Sequence, residues 1–303
     1  MVNNNQKHTF REWLEATRYW SFPVSTMPVV VTCAFLFWQG GGTEPFNWVN
    51  ALLALVGVIL FHAAGNVLSD YFDFKTGVDS EQAYAVPNLV QHRFEAREYL
   101  LFSSLLFAAG LLVGLLLTLL GGRTLLLIGG AGFLLTAGYS WLKYHALGDA
   151  DIILTFALLP VLGTAYVVRG AIVWESLVLV LPVAFITLSV LHINNTVDIE
   201  SDGAAGMRSV AMLLGRKVSV RLYMAYQLMP FLLVAFSACT GWLPWLSLLC
   251  LLALVPAIGN MRKASGFFTQ GREALLGLDQ QSAKLQLVFS LSLSIGLFIA
   301  GVL

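Results

Sequence analysis

Nine apolar stretches, near residues 20–39, 47–69, 99–120, 124–142, 150–169, 173–195, 219–239, 242–260 and 284–302, constrain this chain more than any other feature. Each approaches the roughly 20 residues that carry a helix across a bilayer. A segment in hydrocarbon must satisfy its own backbone N–H and C=O groups, so runs of this length become helices. The expected fold is therefore all-α, a polytopic membrane protein of nine transmembrane helices. With 58% hydrophobic and 11% charged residues, the composition excludes a soluble domain with a large core. Only Gly121-Gly122-Arg123 separates the third and fourth spans, so that turn is tight.

The basic residues set an orientation. With the N-terminus in the cytoplasm, Lys7, Arg11, Arg18, Lys75, Arg93, Arg97, Lys143, Arg208, Arg216, Lys217, Arg221, Arg262, Lys263, Arg272 and Lys284 all fall inside, which is 15 of 17. Only Arg123 and Arg169 fall outside, a strong positive-inside bias. The expected location is the inner (cytoplasmic) membrane, with cytoplasmic caps over the helices and the C-terminus ending outside. The lipid bilayer is the expected partner, and no nucleic acid is.

Against this apolar background, six of the 17 acidic residues gather in two clusters. The first is Asn66-Val-Leu-Ser-Asp70-Tyr-Phe-Asp73-Phe-Lys75-Thr-Gly77-Val-Asp79, and the second is Asn194-Asn195-Thr-Val-Asp198-Ile-Glu200-Ser-Asp202. Carboxylates at a membrane edge are costly and normally face a partner or a cavity. On a helix Asn66, Asp70 and Asp73 share one face, with His62 one turn deeper. Asn194, Asp198 and Asp202 also share a face, and Glu200 points elsewhere. Two such helices facing each other build an oxygen-rich pocket of the kind that suits Mg²⁺. One ion per cluster would bridge the acids to a diphosphate, with Lys75, Lys143 and Arg208 as the nearby cations. If the acids merely paired with bases as topology determinants, no match of helical faces would be needed.

Both clusters fall on the cytoplasmic side, after the second and sixth spans. That placement predicts two four-helix halves plus a ninth helix, with the site at the interface of the halves. Residues 1–303 read as one membrane domain, with 1–19 an N-terminal surface segment carrying no secretory signal. Within it Phe10, Trp13, Leu14 and Thr17 share a helical face. This fits either a short amphipathic helix on the membrane surface or the start of the first span. Cys33, Cys239 and Cys250 lie inside expected spans without metal-ligand spacing and read as packing residues. Nine spans can enclose a site, so a monomer is the simplest oligomeric state.

Taken together, the clusters, their positions among the spans and the segment between them resemble the UbiA superfamily of intramembrane prenyltransferases. Tyr139-x-x-x-Lys143 and Leu147-Gly148-Asp149 after the fourth span are similar to further signatures of the family, and the first cluster is similar to its 1,4-dihydroxy-2-naphthoate branch. So is the second, followed by Gly206, Arg208 and Leu213-Leu214-Gly215-Arg216. The resemblance covers roughly residues 12–300. Ser69 departs from it where an amide is usual, Val197 where the naphthoate branch carries Arg, and the loop at 80–98 lacks a Gly-rich stretch.

The resemblance implies Mg²⁺-dependent transfer of a polyprenyl chain from polyprenyl diphosphate to an aromatic acid. The acid would be 1,4-dihydroxy-2-naphthoate in menaquinone biosynthesis, with 4-hydroxybenzoate or another ring as alternatives. Asp70 and Asp73 would hold one metal, and Asp198 and Asp202 the other. Asn66, Asn194, Asn195, Lys75, Lys143 and Arg208 would meet the diphosphate, with Tyr139 near the scissile oxygen. The allylic cation can be stabilised by aromatic faces, and Tyr139, Tyr71, Phe72 and Trp141 lie near the motifs. His62 and His192 are candidates for acceptor binding or proton removal. Two other classes compete. A cation-coupled transporter would want a mid-span acid. A CDP-alcohol phosphotransferase would want an Asp-Gly-x-x-Ala-Arg run. Neither feature is present.

Overall fold

All nine apolar stretches form helices long enough to span a membrane, among the residues that a computed structural model describes (8–42, 44, 46–78 and 88–303). Every secondary-structure element among those residues is helical. Asp79 and Lys7 lie outside the described residues.

The chain enters through α1 (Phe10–Ala16), a separate helix rather than the first turns of the first span. Thr9 and Glu12 cap it reciprocally, side chain to backbone in both directions. Arg18 then takes a left-handed backbone, φ 53°, and a 3₁₀ turn covers Tyr19–Ser21. Helix α2 (Pro23–Gln39) restarts at Pro23, where a missing N–H leaves nothing unpaired. Trp13 ties α1 down by packing its ring on Phe94 and Phe102, with centroids 4.7 and 4.6 Å away.

Helix α3 (Trp48–Thr76) starts at an Asn47 cap and runs on to Thr76 instead of ending near 69. The stretch from Asn66 to Lys75 therefore sits on one uninterrupted helix. Gly77 ends it with φ 75°, a conformation that favours glycine, and Val78 N donates to Asp73 O at 2.9 Å. Next come α4 (Ala96–Gly121) and α5 (Thr124–Tyr144). The fifth span joins α6 (Gly148–Ile153) to α7 (Leu159–Arg169) through a wide π turn at Leu154–Leu158. The turn precedes Pro160, which has no N–H to offer the carbonyl of residue 156. Helix α8 (Val180–Val197) follows, then the short α9 (Ile199–Ala204) and α10 (Val210–Leu214), and α11 (Arg216–Cys239). The eighth span combines a 3₁₀ stretch at Trp245–Ala253 with α12 (Leu254–Ser265) and α13 (Phe267–Gln270). The last, α14 (Leu278–Val302), begins six residues earlier than expected.

Helix α3 packs along α4, α8 along α11 and α14, and α14 along α2, so the last span meets the first. Of the apolar window in the sixth span, which contains α8, 72% is enclosed, against 11% for α5. The first is central and the second faces lipid. The main core lies between α2, α7, α8 and α14, where Leu36, Val161, Val183, Ile186, Phe289 and Leu293 are fully buried. Leucines 112, 119 and 127 on α4 and α5 stay exposed, as a hydrocarbon surround allows.

Candidate active site

The polar ends of α3, α5 and α8 converge on one cavity of ≈ 440 Å³. Asn66, Asp70 and Asp73 reach it from α3, Tyr139 and Lys143 from α5, and Asn194, Asn195, Asp198 and Asp202 from the α8–α9 corner. Two expected cations are not among its walls. Lys75 is two residues from Asp73 and hence on the far side of α3, exposed, with Nζ 5.9 Å from the Tyr71 ring centroid. Arg208 is exposed between α9 and α10, where its carbonyl accepts from Ala146 N at 3.0 Å.

The first cluster is tightly enclosed. Lys143 Nζ donates to Asp73 Oδ2 at 3.1 Å and Tyr144 OH to Asp73 Oδ1 at 2.9 Å. Ser69 Oγ lies 3.4 Å from Asp73 Oδ2. Arg18 donates to Asp70 from the link between α1 and α2. Asn66 Nδ2 donates to Thr17 O at 2.9 Å, which fixes the amide against that same link.

The second cluster stands on a broken helix. Helix α8 stops at Val197, yet Asp198 N still donates to Asn194 O at 3.0 Å and Asp202 N to Asp198 O at 2.9 Å. The one-face spacing therefore survives the break. Arg272 Nη2 donates to Asp198 Oδ1 at 3.2 Å from the far end of the eighth span. Glu200 is turned outward onto Arg216, whose hydrogen bond holds its carboxyl below the ordinary value. Burial pushes Asp198 upward against the pull of Arg272. Burial likewise pushes Asp202 up to about 6, opposed by Lys143. Val197 points the other way, into an apolar cluster with Ile193, Val220 and Tyr223. An arginine there would need a different exit, and here the cation beside Asp198 comes from residue 272 instead.

Sequence reasoning missed Arg18, Tyr144, Asp151, Arg272 and Asp279. Asp279 precedes the expected start of the last span at 284, and its position in the first turn of α14 follows only from the earlier helix start. Asp151 is 3% exposed, lines the cavity and has an Oδ1 with no hydrogen-bond partner among the described residues. Of the four aromatic residues near the motifs, Tyr139 lines the cavity; Trp141 and Phe72 are largely exposed, and Tyr71 packs edge-on against Phe72. His62 lines it too, with Nδ1 2.9 Å from Ser25 Oγ and Nε2 3.2 Å from Ser21 Oγ. His192 is buried away from this space, with Nε2 3.2 Å from Ser219 O.

Among the described residues, no three His, Cys, Asp or Glu side chains converge closely enough to hold a metal ion unaided. Each cluster instead offers two carboxylates. Mg²⁺ commonly takes one or two carboxylates and completes its shell with water and phosphate oxygens, so the donor set fits.

A second cavity of ≈ 480 Å³ lies deeper between α3, α4, α5 and α7, walled by side chains such as Phe61, Leu117, Ile128 and Phe133. His62, Thr136, Thr155 and Phe156 line both spaces and so mark the neck between them. Here α3 and α5 nearly touch, since a Cβ on Gly65 would stand 2.8 Å from Thr136 Cγ2.

Residues 27–266 match the model of the UbiA prenyltransferase family. The chain is 32% identical over 294 residues to UbiA prenyltransferase domain-containing protein 1 of Homo sapiens, covering 94% of this chain and 82% of that protein. Its counterpart in Ailuropoda melanoleuca is also 32% identical, with 94% and 83% covered. A UbiA homologue from Aeropyrum pernix K1 superimposes with a TM-score of 0.65 at 20% identity, over 93% of this chain and 98% of that one. One from Archaeoglobus fulgidus bound to DMAPP and Mg²⁺ gives 0.58 at 15% identity, over 93% and 99%.

Proposed function

The chain belongs to the UbiA prenyltransferase family, and from that premise we propose that it moves a polyprenyl chain from a polyprenyl diphosphate to an aromatic ring in a Mg²⁺-dependent reaction. The observation that carries this reading is the joining of two unlike cavities. An acid-lined polar chamber adjoins an apolar one at the neck formed by His62, Thr136, Thr155 and Phe156. A polyprenyl diphosphate has the same two-part chemistry. Its diphosphate fits the chamber and its tail the apolar space, with the carbon to be attacked at the neck. The Archaeoglobus fulgidus homologues bound to DMAPP or GPP with Mg²⁺ support the assignment.

Asp70 with Asp73 would hold one ion, and Asp198 with Asp202 a second. Bound there, Mg²⁺ would neutralise the diphosphate and the charge left on the breaking C–O bond. Lys143 and Arg18 line the chamber and add positive charge at its α3 side. Tyr139 stands one helical turn from Lys143 and one from Thr136, between chamber and neck. Asn66, Asn194 and Asn195 supply amide groups to the chamber wall.

The proposed acceptor is a hydroxylated aromatic acid, with 1,4-dihydroxy-2-naphthoate first and 4-hydroxybenzoate second. The chamber faces the cytoplasm of the inner membrane, and one chain of a single domain, residues 1–303, suffices. The test uses purified protein, a labelled polyprenyl diphosphate, Mg²⁺ and a panel of hydroxylated rings, with products identified by mass. A prenylated ring whose formation stops with EDTA is expected. Transport of the substrate without diphosphate release overturns the reading.

A further inference from the structure

The neck between the cavities is where the prenyl carbon must meet its acceptor, and an aromatic hydroxyl attacking through its ring carbon has to lose a proton there. Besides the Tyr139 hydroxyl, two titratable groups stand close to that point among the described residues. One is His62, but both of its ring nitrogens already face serine hydroxyls, Ser25 at 2.9 Å and Ser21 at 3.2 Å. The other is Asp151. It stands one turn before Thr155 and Phe156, the two fifth-span residues that border both cavities. Among the described residues only Thr155 Oγ1 approaches its carboxylate, at 3.4 Å from Oδ2, and Oδ1 has no hydrogen-bond partner. A carboxylate 3% exposed and half unsatisfied is costly to keep. Such a group is normally paired, and a donor arriving with a substrate would pair it. The π turn at Leu154–Leu158 begins directly after this stretch of helix, and wide turns of that kind are frequent where a helix serves a site.

Resting on the aromatic-acceptor reading above, we propose that Asp151 is the base on the acceptor side of the reaction, accepting the hydroxyl proton of the ring as it is prenylated. The ring carbon supplies the electron pair for the new C–C bond to prenyl C1. The C1–O bond breaks, and its pair leaves on the diphosphate oxygen. The ring O–H bond breaks in turn, its proton passes to Asp151 Oδ1 and its pair forms the C=O of a neutral dienone. Loss of the proton on the attacked carbon to water, with return of the Asp151 proton to the oxygen, restores the ring and the carboxylate. Where the attacked carbon bears a carboxylate, CO₂ leaves in place of that proton, its C–C pair restoring the ring. Asp151 also gives the site a preference, because a buried carboxylate rewards a ring that presents a hydroxyl to it and penalises one that presents a second negative group.

The test compares wild type with D151N, which preserves shape and removes the base. Two rates are read: prenyl transfer to a hydroxylated ring, and Mg²⁺-dependent diphosphate release without acceptor. The expected result is a transfer rate lower by about 100-fold or more, in line with the loss of a general base, and diphosphate release within about threefold of wild type. D151E serves as a second variant, expected to recover part of the transfer rate. Transfer by D151N at the wild-type rate overturns the proposal and leaves the prenyltransferase reading standing. Loss of acceptor-free diphosphate release in D151N also overturns it, since the residue then serves the donor. Wild-type protein that releases diphosphate but prenylates none of the rings overturns the acceptor reading and this proposal with it.

Discussion

The two aspartate clusters carry nearly the same residues on different scaffolds. Asp70 and Asp73 lie on an unbroken helix, are 7% and 4% exposed, and each meets a cation. Asp198 and Asp202 straddle a helix break; Asp202 is 7% exposed, like Asp70, but the Asp198–Arg272 pair leaves its side chains 32% and 37% exposed. Asp73, locked to the enclosed Lys143, is held in place before any ligand arrives and strands that cation if removed, whereas Arg18, the partner of Asp70, is 44% exposed. A carboxylate at a solvated corner can move and titrate. Asp73 is therefore built for position and Asp198 for adjustment.

Removing Asp73 should break that contrast most strongly. Asp73→Ala strands Lys143, whose side chain is 17% exposed. The expected outcome is loss of turnover together with about 3–5 kcal/mol of stability, read by thermal unfolding in detergent. The double variant Asp73→Asn, Lys143→Met should recover most of the stability and none of the turnover, which separates folding from function. Asp198→Ala should also abolish turnover, yet cost only about 0–1 kcal/mol, because its ion pair is partly exposed, 32% and 37%. Equal destabilisation by Asp73→Ala and Asp198→Ala would erase the proposed difference. Arg272→Ala is a smaller change. It should leave turnover measurable and raise Mg²⁺ affinity by a few-fold, seen as a lower half-saturating Mg²⁺ concentration, because Asp198 no longer has a competing partner.

The smallest effect is on pH. Burial raises Asp202 from an ordinary 3.8 to about 6 and raises Asp198 as well. Between those values the folded protein binds more protons than the unfolded chain, so metal-free stability should fall as pH rises through about 4 to 6. Mg²⁺ binds the ionised form and should flatten that slope, which thermal scans with and without Mg²⁺ at pH 4 and 6.5 would reveal.

Helical phase made the convergence of the clusters legible before any coordinates. Apolar runs of membrane length gave the nine spans, and i, i+4 spacing put each asparagine with its aspartates. The break at Asp198 did no harm because backbone hydrogen bonds on either side keep that spacing. What phase cannot supply is the partner across space. Arg18 and Arg272 are separated from Asp70 and Asp198 by 52 and 74 residues and carry no local signal. Lys75 and Arg208 were assigned by closeness in sequence, and both turn to the outside. Asp151 was passed over because a single acid in the first turn of a span resembles any other edge residue until its walls are known. Val197 looked like a missing charge; it is instead one side of an apolar cluster.

Gly65 acts as the calliper of this molecule. It lies one residue before Asn66 and faces Thr136, one turn from Tyr139. The missing side chain lets the helix of the first aspartates and the helix of Lys143 lie flush at the throat of the site. A methyl group there would meet the Thr136 side chain, which would have to turn or shift. The fit of the two helices at that throat thus rests on a hydrogen atom in the chamber wall.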